Sequence, residues 1–66
     1  MQSEQVGDFR AVKIDLEAWD IRDATTKSVG VVYKHHGEFV FNGDIKGFSR
    51  PTLLALSKFV AKVNQK

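Results

Sequence analysis

Residues 49–63, SRPTLLALSKFVAKV, form the one stretch of this chain that reads as a helix, and they dictate what the rest must supply. Ser49 suits the N-cap, where its hydroxyl accepts a hydrogen bond from a first-turn N–H. Pro51 then sits in the first turn, where no intrahelical bond is lost. Phe48 and Leu53 have the spacing of a hydrophobic staple. Lys58, Lys62 and Lys66 recur toward the C-terminal end, where positive charge opposes the helix dipole favourably. At about 100° per residue, Leu53, Ala55, Leu56, Phe59, Val60 and Val63 span roughly 160° of arc. Leu54 and Ala61 lie together on a separate flank. A core-facing stripe need be only about 100° wide. Either a sheet curls around this helix, or the helix also meets a second subunit.

The sheet that covers it must come from the preceding residues. FRAVKIDLEAWDIRD alternates, with Val12, Ile14, Leu16 and Ala18 on one side and Lys13, Asp15, Glu17 and Trp19 on the other. Period two predicts a single half-buried strand over 9–22 with the aliphatic set facing the core. Asp23 opens a turn at DATT. KSVGVVYK and EFVF predict two further strands joined at HHG. A three-residue loop with left-handed Gly37 would set Lys34 opposite Glu38, Tyr33 opposite Phe39 and Val31 opposite Phe41. A two-residue HG loop would shift this register by one and mix Lys34 with the phenylalanines, so the three-residue loop is the expectation. Asn42-Gly43 is a further hairpin signal, leading to a short fourth strand in DIKGF.

The expected fold is therefore α+β: an antiparallel meander of three or four strands followed by one C-terminal helix packed on it. Residues 1–8 are expected to form a flexible arm, and 9–66 a single β-β-β-(β)-α domain. The expected core is Val12, Ile14, Leu16, Val31, Tyr33, Phe39, Phe41, Leu53, Leu56, Phe59 and Val60.

Composition narrows the function classes. With 66 residues the chain makes one domain with limited buried surface, a size that often gains stability by pairing. It has no cysteine, so neither a disulfide framework nor a cysteine zinc site is available. At 42% hydrophobic and 27% charged residues it is globular in character rather than disordered. A net charge of +2 permits a polyanionic partner without requiring one. MQSEQVGD lacks the basic and apolar regions of a signal peptide, and no apolar run approaches a membrane span, so a cytoplasmic protein is expected.

Catalytic constellations are missing. The serines lack a nucleophile setting, Asp15 and Glu17 read as solvated acids on an outer sheet face, and no Gly-rich phosphate loop is present. Adjacent His35 and His36 read as a polar hairpin tip and would need ligands from elsewhere to hold a metal. No catalytic residue, metal or cofactor is expected. Binding is the better expectation. The outer sheet face would carry Lys13, Trp19 and Lys34, with Val32 or Val40 beside them. Arg10 and Arg22 would stand near the ends of the first strand. An exposed Trp among Lys and Arg suits stacking on bases in a charged groove. Asp15 and Glu17 on the same face would repel phosphates.

Two short stretches carry a resemblance. VKIDLEAW (12–19) is similar to the aliphatic-acidic-aromatic strand, and KGFS (46–49) to the Lys-Gly-apolar-Ser lead-in to the helix, of the positive cofactor family of transcriptional coactivators. That family has four antiparallel strands and a C-terminal helix, binds single-stranded DNA through its sheets and pairs through its helices. HHGEFVFNGD departs from its pattern. The resemblance implies a single-strand-binding homodimer, formed through the C-terminal helix, with basic and aromatic sheet positions at the interface. The alternative is a protein-binding regulator or inhibitor, of the kind phages encode, docking through its sheet edge or helix.

Overall fold

The computed structural model describes residues 2–65. Five strands, β1 (Ser3–Val6), β2 (Phe9–Asp15), β3 (Ala18–Arg22), β4 (Ser28–His35) and β5 (Glu38–Gly43), form one antiparallel sheet in the order β1-β2-β3-β4-β5. Helix α1 (Arg50–Val63) follows and packs across one face. The α+β class, the antiparallel meander and the C-terminal helix are as expected, but the strands number five rather than three or four. No helix among the described residues is long and apolar enough to cross a membrane.

Both extra strands have a local cause. Residues 3–6, expected as part of a flexible arm, pair with β2 through a tight turn at Gly7 and Asp8. Residues 9–22 are a hairpin rather than one strand. Asp15 and Ala18 bracket a turn at Leu16 and Glu17, and the register slips across Ile14. That turn contains no Gly, Asn or Pro; its one local signal is Asp15, whose carboxylate accepts from the Glu17 N–H at 3.4 Å. The consequence is a reversed facing. Ala11, Trp19 and Ile21 enter the core, while Ile14 is 54% and Leu16 84% exposed. Val12 is buried, but on the opposite face, with Ser3 and Asp20 as its register neighbours.

The β4–β5 turn has two residues, His36 (φ 51°) and Gly37 (φ 81°), and His35 pairs with Glu38. Two successive left-handed residues give the twist that suits a tight hairpin. The register is therefore one residue away from the expected one: Lys34 opposes Phe39, Tyr33 opposes Val40 and Val32 opposes Phe41. Val32 is fully buried, while Val31 and Tyr33 lie on the open face. The expected strand at 44–48 is instead a turn, in which the Phe48 N–H donates to the Ile45 carbonyl.

The helix begins as its sequence predicts. Ser49 caps it, accepting from the Thr52 N–H, with Pro51 in the first turn. Phe48 does not end as one half of a simple staple. Its ring packs on Phe9 (4.3 Å) and Phe41 (6.1 Å), and Leu53 stays 37% exposed. Leu56 and Phe59 are buried, with Ala55, Val60 and Val63 at the margins. The Trp19 indole meets Phe59 edge to face at 5.2 Å.

The helix touches both edge strands. Lys62 pairs with Glu4 on β1, and the Asn64 carboxamide bonds both the N–H (2.7 Å) and the carbonyl (3.1 Å) of Phe39 on β5. The sheet thus wraps the helix, which accounts for most of its wide apolar arc. At its N-terminal end the helix docks on the β1–β2 turn. Thr52 is buried there, its hydroxyl accepting from the Asp8 N–H and bonded to Ser49. Gly7 (φ 59°) sits so close that a Cβ would lie 2.7 Å from the Thr52 Cα.

Denaturation of point variants checks this packing. Gly7→Ala and Gly37→Ala both place alanine at positive φ, which costs roughly 1–2 kcal/mol. Only Gly7→Ala also collides with Thr52, since nothing lies within 4 Å of a Cβ at Gly37. Gly7→Ala is expected to be distinctly the less stable. Leu56→Ala should cost about 2–5 kcal/mol.

Candidate nucleic-acid interface

The five residues expected to contact nucleic acid divide between the two faces of the sheet. Arg10 and Arg22 are directly opposite one another on β2 and β3, on the open face. Lys13 and Lys34 project on the helix side, as does Trp19. Trp19 is 8% exposed beneath α1, so the indole expected on the outer face is instead core. The one-residue difference in facing moves all three together.

The two lysines are held against rings. The Lys13 ammonium lies 5.7 Å from the centre of the Trp19 ring, and that of Lys34 lies 5.8 Å from Phe39. Both separations are within the range of cation–π attraction. Lys34 also approaches Glu17 at 3.5 Å.

Arg10 and Arg22 would repel, as like charges directly across a ladder do. Each has a compensation. The Arg22 Nε donates to Asp20 at 2.7 Å, a partly buried ion pair. Arg10 donates to two neutral acceptors, Ser3 Oγ and Gln5 Oε1, each at 3.2 Å. Both arginines line a cleft of about 470 Å³ beneath the β3–β4 loop. Asp8 and Asp23 line it too, so its charge is balanced rather than positive.

The loop beside the cleft is organised by Asp23. Its Oδ1 accepts from the Thr25 hydroxyl (2.6 Å), the Thr25 N–H (2.9 Å) and the Lys27 N–H (3.0 Å). These bonds, the Thr25 hydroxyl first among them, hold the carboxyl below its ordinary value of 3.8. At the other end of the sheet the imidazoles of His35 and His36 stand 4.1 Å apart. Among the described residues no three His, Cys, Asp or Glu side chains gather where a metal ion could be held.

The open face otherwise presents Tyr33, Val31 and Val40, all half-buried, with Asp20 among them. It lacks a positive surplus. That surplus lies elsewhere. Residues 45–66 contain five of the ten Lys and Arg and none of the eight Asp and Glu, whereas residues 1–44 hold five basic residues against all eight acids. Lys46, Arg50 and Lys58, on the helix and the turn before it, are exposed and belong to none of the ion pairs among the described residues. Overall composition conceals this division, but counting charge by segment displays it.

The 12–19 stretch that resembles the positive cofactor strand spans the end of β2, the turn and the start of β3. In KGFS, Phe48 packs on the sheet and Ser49 is the cap. The chain matches no known family, and neither curated proteins nor solved structures show significant similarity to it.

Because the Asp23 carboxylate is favoured in the folded chain, its contribution to stability is complete above the unfolded value and is lost as pH falls through the lowered one. A carboxyl-resolved NMR titration should place the Asp23 midpoint below 3.8, and Thr25→Val should raise it. A midpoint unchanged by Thr25→Val would mean that the hydroxyl bond does not hold the loop.

Proposed function

We propose that this chain is a small non-enzymatic binding domain that contacts the phosphate backbone of nucleic acid, and that it does so from the helix side. The charge division carries this reading: a C-terminal third with no acids, folded so that Lys46, Arg50 and Lys58 face solvent. Lysines and arginines that neutralise phosphates release condensed counterions, so such a surface binds in a salt-dependent, sequence-tolerant way. With Trp19 under the helix, the stacking that would favour single strands over duplexes has no indole to supply it. Arg10 is the remaining sheet-side contributor, because Arg22 is neutralised by Asp20. The resemblance of KGFS, which leads into the helix, favours nucleic acid as the partner, although the family it resembles uses its sheets.

A second reading, a protein-binding module, is favoured by Leu53 and Leu54, which are 37% and 59% exposed on the same helix. Ionic strength separates the two, since burial of leucine depends little on salt while phosphate binding depends on it steeply.

Fluorescence anisotropy with short labelled single- and double-stranded oligonucleotides over a salt series tests the proposal. The double variant Arg50→Glu/Lys58→Glu should stay folded. An acid at the helix start favours the dipole, and Lys58→Glu places an acid one turn before Lys62. The salt slope of this variant should fall by about 0.7–0.9 for each phosphate it no longer neutralises. Arg22→Ala should leave the slope unchanged. Wild-type protein that fails to bind any oligonucleotide at low salt would remove the reading, as would a double variant with an unaltered slope.

A further inference from the structure

The two edges of the sheet are built differently. β1 is short and polar, SEQV, whereas β5 is EFVFNG, with no lysine or proline to deter pairing. Charged residues and proline are the usual protection of an exposed edge.

The hydrogen-bond alternation of the β4–β5 ladder identifies which β5 groups point outward. His35 and Glu38 flank the two-residue turn and form a bonded pair, so the next pair, Lys34 and Phe39, directs its groups away from the hairpin. Both outcomes are visible: the Lys34 N–H donates to Glu17 on the far side, and the outward groups of Phe39 are taken by Asn64. Two residues further on, Phe41 must likewise point outward, and so must Gly43. The Asp44 N–H donating to the Val29 carbonyl confirms the phase at the far end. Among the described residues, Asn64 therefore closes the edge at Phe39 and leaves it open at Phe41 and Gly43.

We infer that this open stretch pairs with the same stretch of a second copy, β5 against β5 and antiparallel, with Asn42 facing Asn42 across the twofold axis. In that register Phe41 of one copy and Gly43 of the other form a bonded pair, and the twofold repeats it. All the outward groups that Asn64 leaves open on β5 are then used. Centring the pairing on Phe41 instead would require the groups of Phe39 that Asn64 already holds.

The axis stands normal to the sheet, so both helices lie on the same side of a ten-stranded sheet. Leu53, Val60 and Asn64 share one flank of α1 at intervals of seven and eleven residues. Asn64 reaches β5, so this flank faces the edge. The occupant is a second copy because the free groups and their spacing are self-complementary about Asn42. This assembly is independent of the nucleic-acid reading.

Sedimentation from micromolar to millimolar protein, paired with amide exchange by NMR, tests it. The mass should rise toward a dimer by mass action. The Phe41 and Gly43 amides should gain protection with concentration, whereas that of Phe39, bonded within the monomer, should not change. Asn42→Lys, at an exposed position, sets two lysines directly opposite and should weaken pairing at least roughly tenfold while the monomer stays folded. Mixing Asn42→Lys with Asn42→Asp chains should restore it as a heterodimer. A monomer at millimolar concentration would overturn the inference, as would a dimer in which the Phe41 and Gly43 amides exchange freely, or an Asn42→Lys chain that pairs as well as wild type.

Discussion

The contact on which the rest of this structure depends is the burial of the α1 apolar face in the sheet, centred on Trp19 against Phe59. Edge-to-face packing at 5.2 Å joins the middle strand of the meander to the second half of the helix, with Leu56, Ile21 and Val32 around it. Isolated helices of this length are marginal in water, and a sheet must bury its apolar face against another element. Each element supplies what the other lacks. A chain of 66 residues has little surface to bury, so it uses the largest side chain it has at the centre rather than on the rim.

Glycines set how closely the pieces approach. Gly7 lets the β1–β2 turn touch Thr52, whose hydroxyl completes the polar contacts at the helix start. Gly30 and Gly43 oppose one another on β4 and β5, and the Phe41 ring lies over both. An aromatic ring covering an opposed glycine pair restores packing that the missing side chains would have given. It also keeps the last pair of the β4–β5 ladder ordered next to an open edge.

Charge is arranged on a larger scale than the contacts. The sheet segment carries all the acids, and the ion pairs among the described residues, Arg22–Asp20, Lys34–Glu17 and Lys62–Glu4, spend basic residues on them. The two more exposed pairs, Lys34–Glu17 and Lys62–Glu4, contribute little stability. The larger effect of the three is on the field. Two of them cancel positive charge over the sheet and the third neutralises Lys62 on the helix, which leaves Lys46, Arg50 and Lys58 in a segment with no acid from residue 45 onward. Asn64 plays a comparable part for the backbone, substituting a carboxamide for a sixth strand at one position of β5.

Local sequence determined the helix: its cap, proline and apolar periodicity act within a few residues, and its observed start agrees with them. The presence of strand within 9–22, 27–34 and 38–41 was equally legible, as was the left-handed Gly37. Facing was not. A strand that alternates can bury either set, and the choice between Val12-Ile14-Leu16 and Ala11-Trp19-Ile21 rests on a turn at Leu16 and Glu17 marked only by Asp15, and on a one-residue register at His36 and Gly37. A slip of one residue exchanges every side chain between faces. Only the packing of the whole sheet around one helix selects the phase, because it must place Trp19, Ile21 and Val32 under the same apolar arc at once. That selection moved Trp19 from a surface to the core and separated Arg10 and Arg22 from Lys13 and Lys34. The segmental charge division, by contrast, was written in the sequence. What tertiary structure added was its exposure, since α1 buries its apolar residues in the sheet and turns Arg50 and Lys58 to solvent.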